Sequence, residues 1–168
     1  MGRDQAIGLL PDPLKPERPA LLELHTEIEI NASAERVWSI LLDFSRYPDW
    51  NPFIRKVIGE PARGSKLTIR VQPSGAKAMT FRPTVLEVEP RQELRWIGRL
   101  LVPGIFDGEH AFVINELDGE RVRFVHEERF RGLLVPFFRV SLDRDTRRGF
   151  EEMNAALKRR AEQAESAF

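Results

Sequence analysis

The chain has 168 residues, 42% of them hydrophobic, with 26 Lys plus Arg balanced by 26 Asp plus Glu and no cysteine. That length can bury a core and suits one domain, while the even charge offers no field for nucleic acid or an anionic bilayer. The absence of cysteine excludes a disulfide framework, a thiol nucleophile and a thiolate-held zinc or iron–sulfur site.

No apolar run approaches the roughly 20 residues of a membrane span, and no basic stretch followed by an apolar one opens the chain, so the expectation is a cytoplasmic protein without stable membrane insertion. Residues 1–22 carry four of the twelve prolines and no sustained periodicity. They read as an N-terminal arm ahead of a domain at 23–165, because proline removes backbone donors and fixes φ.

From Glu23, "ELHTEIEI" places Leu24, Thr26, Ile28 and Ile30 on one side and His25, Glu27 and Glu29 on the other, the period of a strand with one wet face. "NASAERVWSILLDF" changes to helical spacing, with Ser33 placed to cap, Glu35 in the first turn, and Val37, Ile40, Leu41 and Phe44 on one stripe. Pro48 and Pro52 end that helical stretch.

Six alternating runs follow: "FIRKVI", "KLTIRV", "MTFRPTVLEV", "ELRWIGRLL", "EHAFVINEL" and "RVRFVHEERF". The breaks between them are short, so the strands pair as an antiparallel meander; parallel pairing would need crossover helices. With the first strand the expected total is seven. The chain closes with Phe150, Met153, Leu157 and Ala161 at helical spacing after Pro136. A helix from 136 to 164 would be roughly 40 Å long, enough to cross the whole sheet.

Three stretches carry a family resemblance: "INASAERVWSILLDFSRYPDWNPF", "VLEVEPRQELRW" and "GEHAFVINELDGERVRFVHEERFRGLL". Over residues 23–165 the chain resembles the SRPBCC (START-like, helix-grip) superfamily, in its polyketide cyclase/dehydrase-type branch. The resemblance implies an α+β helix-grip fold, with a curved seven-stranded antiparallel sheet around a long C-terminal helix and two short helices after the first strand. It also implies a cavity for hydrophobic or polycyclic ligands, and a minority of cyclases, dehydratases and aromatases.

The run "RVRFVHEERF" puts His126 and Glu128 on the same face as Val122, Phe124 and Phe130. Polar groups on a core face have a use where that face lines a ligand cavity. On the neighbouring strand His110, Phe112 and Ile114 share a facing, and counting outward from the Asp-Gly turn sets His110 nearly opposite Glu128. A buried carboxylate must be neutralised or paired, and His110, His126 and Arg82 are the candidate partners. Such a pair could satisfy itself, orient a ligand, or move protons, in which case His110 and Glu128 are the catalytic candidates.

Further candidate ligand contacts are Trp96, beside a Gly98 that leaves room, and Phe150 and Met153 on the roofing helix, for all of which core packing is the first explanation, and Trp50 and Phe53 at the rim, which could instead lock the helix turn. Ile105 and Phe106 in the loop "LLVPGIFDG", and Phe137 and Phe138, form apolar edges that could act as a lid or a homodimer contact. No cofactor is expected, and no metal, since three histidines without tight spacing make no zinc site.

Three functions stay open: a binder of a hydrophobic small molecule, a polyketide cyclase/dehydratase-type lyase or isomerase, and a chaperone-activator-like interaction module.

Overall fold

A computed structural model describes residues 21–100 and 102–163. Residues 1–20 of the expected arm lie outside the described residues, and Leu22 already belongs to the first strand.

The elements run β1 (Leu22–Ile30), α1 (Ala34–Leu42), a 3-10 turn (Phe44–Arg46), α2 (Tyr47–Trp50), β2 (Ile54–Ile58), β3 (Thr68–Val71), β4 (Met79–Phe81), β5 (Thr84–Glu89), β6 (Glu93–Leu100), β7 (Phe106–Asp118), β8 (Arg121–Arg131), α3 (Val135–Ser141), a π-turn (Leu142–Thr146) and α4 (Arg147–Glu162). Ser33 caps α1 by accepting from the Arg36 amide at 3.2 Å, as its position in the sequence implies. The C-terminal helix is continuous from 135 to 162 but widens by one π-turn in its middle.

The strand count corrects the expectation. Eight strands form two antiparallel sheets, one of five in the order β1-β8-β7-β6-β5 and one of three in the order β2-β3-β4. The run "MTFRPTVLEV" splits at Arg82 and Pro83: Met79–Phe81 pairs with β3, and Thr84–Glu89 pairs with β6. Proline has no N–H to donate, so a ladder cannot run through it unbroken. The Pro83 carbonyl instead accepts from the Leu67 amide at 2.9 Å, which ties the two sheets at this corner.

Helix α4 lies over the concave face of the larger sheet. Its stripe of Phe150, Met153 and Leu157 meets Leu24 and Ile30 of β1, Phe112 of β7 and Phe124 of β8 in one buried cluster. Phe53, just before β2, packs against this helix at Gly149, where a Cβ would come within 2.1 Å of the phenyl ring. The Tyr47 hydroxyl donates to the Leu41 carbonyl at 2.8 Å, holding α2 to the end of α1, and burial pushes that phenol far above its ordinary pKa.

Candidate functional site

β6, β7 and β8 bring one polar chain onto the concave face. Their registers pair Trp96 with His110, Phe112 with His126, and His110 with Glu128. Because strand side chains alternate, Trp96, His110, Phe112, His126 and Glu128 all face α4, while Arg95, Glu109, Glu127 and Arg129 face outward. A bulge between Glu116 and Asp118 sits at the turn end of the β7–β8 hairpin, beyond the site, and leaves this facing intact.

Within that arrangement Glu128 Oε2 lies 2.5 Å from His110 Nδ1, and His110 Nε2 lies 3.1 Å from His126 Nε2. His126 Nδ1 lies 3.0 Å from Asn154 Oδ1 on α4, and the Asn154 amide donates to Thr26 Oγ1 on β1 at 2.9 Å. Five residues from four elements thus form one hydrogen-bonded line.

Aromatic rings enclose it. Trp96 stacks on His110 with centroids 4.6 Å apart, and Phe150 stacks on His126 at 3.5 Å. Phe112 presents its edge to both imidazoles. Such a box strips water from the line, and its effect grades along it. His126 is fully buried, His110 keeps 6% of its side chain exposed, and Glu128 keeps 12%. Burial, and then the electrostatic effect of the neighbouring His110, hold His126 well below the ordinary imidazole pKa against the opposing pull of Asn154, so His126 is a neutral ring at physiological pH.

The open end of the line is shaped by two glycines. Gly98 and Gly108 face each other across β6 and β7. A Cβ at Gly108 would come within 2.6 Å of Glu128 Oε1, so the absent side chain makes the seat for that oxygen. A Cβ at Gly98 would meet nothing nearer than a backbone oxygen at 3.9 Å, so the concave face is open there. Phe106 and Phe130 pack at 5.6 Å beyond the glycine pair.

The remaining candidates divide. Phe53 joins the cluster edge-on to Phe150 at 5.7 Å, and Met153 is fully buried on the same helix stripe. Trp50 packs edge-on against Tyr47 at 5.2 Å, and its buried indole N–H has no partner among the described residues. Arg82 is exposed at the corner between the two sheets and does not reach the carboxylate. Phe137 and Phe138 on α3, with Leu133 and Val140, are exposed, as are Leu100 and Val102 across the neighbouring turn.

The expected hollow between sheet and helix is mostly filled, by Phe112, Phe124, Phe150, Met153 and Leu157. Two surface depressions lie elsewhere, one by Arg63, Thr84 and Arg95 and one by Asn31, Ser33 and Gly119. Among the described residues no group of three His, Asp or Glu is placed to hold a metal ion. None of the described helices is long and apolar enough to cross a membrane.

Residues 22–162 match the sequence family described as polyketide cyclase / dehydrase and lipid transport. The chain belongs to that family. The polyketide cyclase/dehydrase match spans every strand and the whole C-terminal helix. Among solved structures, the Zhui aromatase/cyclase from Streptomyces sp. R1128 is similar at 19% identity and a TM-score of 0.72, covering 88% of this chain and 99% of that one. A START superfamily protein from Mycobacterium smegmatis is similar at 24% identity and a TM-score of 0.67, covering 84% and 97%. A truncated norcoclaurine synthase from Thalictrum flavum is similar at 14% identity and a TM-score of 0.67, covering 89% and 99%. At these identities the likeness is one of fold. No curated protein matches the chain by sequence.

On this polyketide cyclase/dehydrase framework, two members of the polar line, Asn154 and Thr26, and the glycine beneath its carboxylate, Gly108, escaped the residue pattern as site residues. Asn154 had a signal, being the one amide on a helix stripe otherwise made of Phe150, Met153 and Leu157. Thr26 reads inward by alternation, but its link to Asn154 spans 128 positions and needs the fold to be seen.

Proposed function

We propose that this protein binds a small hydrophobic or aromatic molecule at the gap over Gly98, with the ligand's polar end on Glu128 and His110 and its apolar body against Trp96 and the rings around it. The observation that carries this reading is the gap itself, open beside a carboxylate that is seated over Gly108 and hydrogen-bonded to His110. A polar group at the mouth of an aromatic-lined recess is the usual design of a small-molecule site. Apolar burial at roughly 25 cal/mol per Å² supplies affinity there, and the carboxyl group supplies orientation. The family's description, and the fold shared with an aromatase/cyclase and with norcoclaurine synthase, support a ligand of this class. Entry of a larger body requires the rings of Trp96 and Phe150 to part, since they fill the deeper space.

The test is a fluorescence titration with the neutral apolar probe N-phenyl-1-naphthylamine. Wild-type protein is expected to bind it, and Gly98→Leu, whose Cβ meets no clash and whose branch occupies the gap, is expected to lose binding while staying folded. Equal binding by both proteins, or no binding by either, overturns the reading.

A second reading, acid–base catalysis of the cyclase or dehydratase kind, is favoured by one specific observation: the carboxylate is the end of a line of two imidazoles rather than an isolated group. In that reading Glu128 and His110 exchange a proton with a keto or hydroxyl group of the substrate. Glu128→Gln separates the two, since an orienting group tolerates the amide and a proton donor does not.

A further inference from the structure

At the end of the line away from the carboxylate, the partners of His126 decide which way the protons point. The Thr26 hydroxyl lies 3.5 Å from the His126 carbonyl, toward which its hydrogen turns, and it accepts from the Asn154 amide nitrogen at 2.9 Å. That contact fixes the amide with its nitrogen toward Thr26 and its oxygen toward His126. An amide oxygen only accepts, so the proton of the neutral His126 ring sits on Nδ1 and its Nε2 is bare. The 3.1 Å contact between the two Nε2 atoms then requires its proton from His110. With Nε2 of His110 committed, a single proton lies between its Nδ1 and Glu128 Oε2.

We propose that Asn154, held by Thr26, is a positioning residue that sets the tautomer of His126 and through it commits His110, leaving one shared proton at the ligand end of the line. This rests on the same site as the proposed function, but it concerns the apo protein and is independent of any ligand. Neither residue touches the gap over Gly98; Asn154 acts on Glu128 only through two rings. The groups facing the two imidazoles are Glu128 from β8, Trp96 from β6, Phe112 from β7, Thr26 from β1 and Asn154 and Phe150 from α4, and Glu128 is the one ionisable side chain among them. The rule that an acceptor on one ring nitrogen decides the role of the other therefore operates here with Glu128 as the one ionisable group outside the imidazole pair.

The experiment is a long-range proton–nitrogen correlation spectrum of the full chain labelled with nitrogen-15 histidine at neutral pH. Signals of the surface residue His25 are assigned by their loss in His25→Gln. Wild type is expected to show His126 protonated at Nδ1 alone and His110 protonated at Nε2. Asn154→Leu, close in volume but without an acceptor, is expected to move His126 to the Nε2–H form and His110 to Nδ1–H. Asn154→Asp restores an acceptor and is expected to restore the wild-type order, while Thr26→Val frees the amide and gives two tautomers.

A wild-type His126 protonated at Nε2 overturns the proposal, as does an Asn154→Leu spectrum with the wild-type order. Since the wild-type spectrum alone can decide it, a variant that misfolds does not shield it. The expected tautomers in a protein that fails to take up the naphthylamine probe would keep this proposal and discard the binding reading; the reverse pattern would do the opposite.

Discussion

The two faces of the five-stranded sheet use the same cross-strand arithmetic in opposite surroundings. On the outer face Glu109 bonds Arg95 at 2.7 Å and Arg131 at 3.2 Å, Arg123 reaches Glu29 at 3.3 Å, and His25 meets Glu127 at 3.0 Å. On the inner face Glu128, His110 and His126 pair just as closely, but inside a wall of Trp96, Phe112 and Phe150. Outside, water and salt screen the pairs of Arg123 and His25, and Glu109, though half-covered, keeps a second arginine when one is removed. Inside, a lost partner strands a polar group where nothing replaces it, so the inner line is where a single substitution carries chemical consequence.

The largest effect tests whether the inner wall is structural. Phe150→Ala removes the ring on which His126 stacks and against which Phe53 abuts, and should cost about 4 kcal/mol in urea unfolding. A loss below about 1 kcal/mol would mean that the wall is loose. Next comes a pair of glycines: Gly149→Ala drives a methyl group into Phe53 and should cost about 2 kcal/mol, whereas Gly98→Ala enters open space and should be nearly neutral. Equal costs would erase the distinction between the filled and open parts of the inner face.

The third is a pH dependence. Burial lowers the folded-state pKa of His126 below its ordinary 6.5, so the unfolded chain takes up a proton that the native chain refuses. Stability is therefore complete above pH 6.5 and falls as pH drops below it, with a limiting slope of about 1.4 kcal/mol per pH unit for one proton. His126→Gln should flatten the wild-type curve between pH 6.5 and 5; parallel curves would refute a buried neutral imidazole. Glu109 acts in a lower window: burial alone would raise its pKa, but Arg95 and Arg131 override it and hold it down, so its contribution is complete above the usual carboxylate range and is lost as pH falls through that range toward the depressed native pKa. Smallest is Arg123→Ala on the outer face, expected at about 0.5 kcal/mol or less in the same unfolding assay.

Much of this arrangement was legible in the sequence because strand periodicity is strict. Alternation in "RVRFVHEERF" assigned His126 and Glu128 to the inner face, and counting from the Asp-Gly turn paired His110 with Glu128. The split of "MTFRPTVLEV" was only half legible: a proline inside a run weakens a ladder, but that its two halves join different sheets depends on partners 8 to 12 residues back for one half and 4 to 13 residues ahead for the other. The filled interior was not legible, since alternation tells which way a side chain points and nothing of how deeply its neighbours interlock. Asn154 needed both a helix stripe and a strand to become more than a polar residue among apolar ones.

Gly132 adopts φ +123°, and any Cβ there would collide with the Ile105 carbonyl. The amides of Leu133 and Leu134 donate to the carbonyls of Gly104 and Ile105 at 3.1 and 3.0 Å. The turn that closes the β6–β7 hairpin, two rungs beyond Gly98 and Gly108, is thereby stitched to the start of α3. Two segments separated in the chain are thus hydrogen-bonded to each other beside the gap. Moving one without the other must break both bonds, so a spin label or fluorophore on either should report the travel of both.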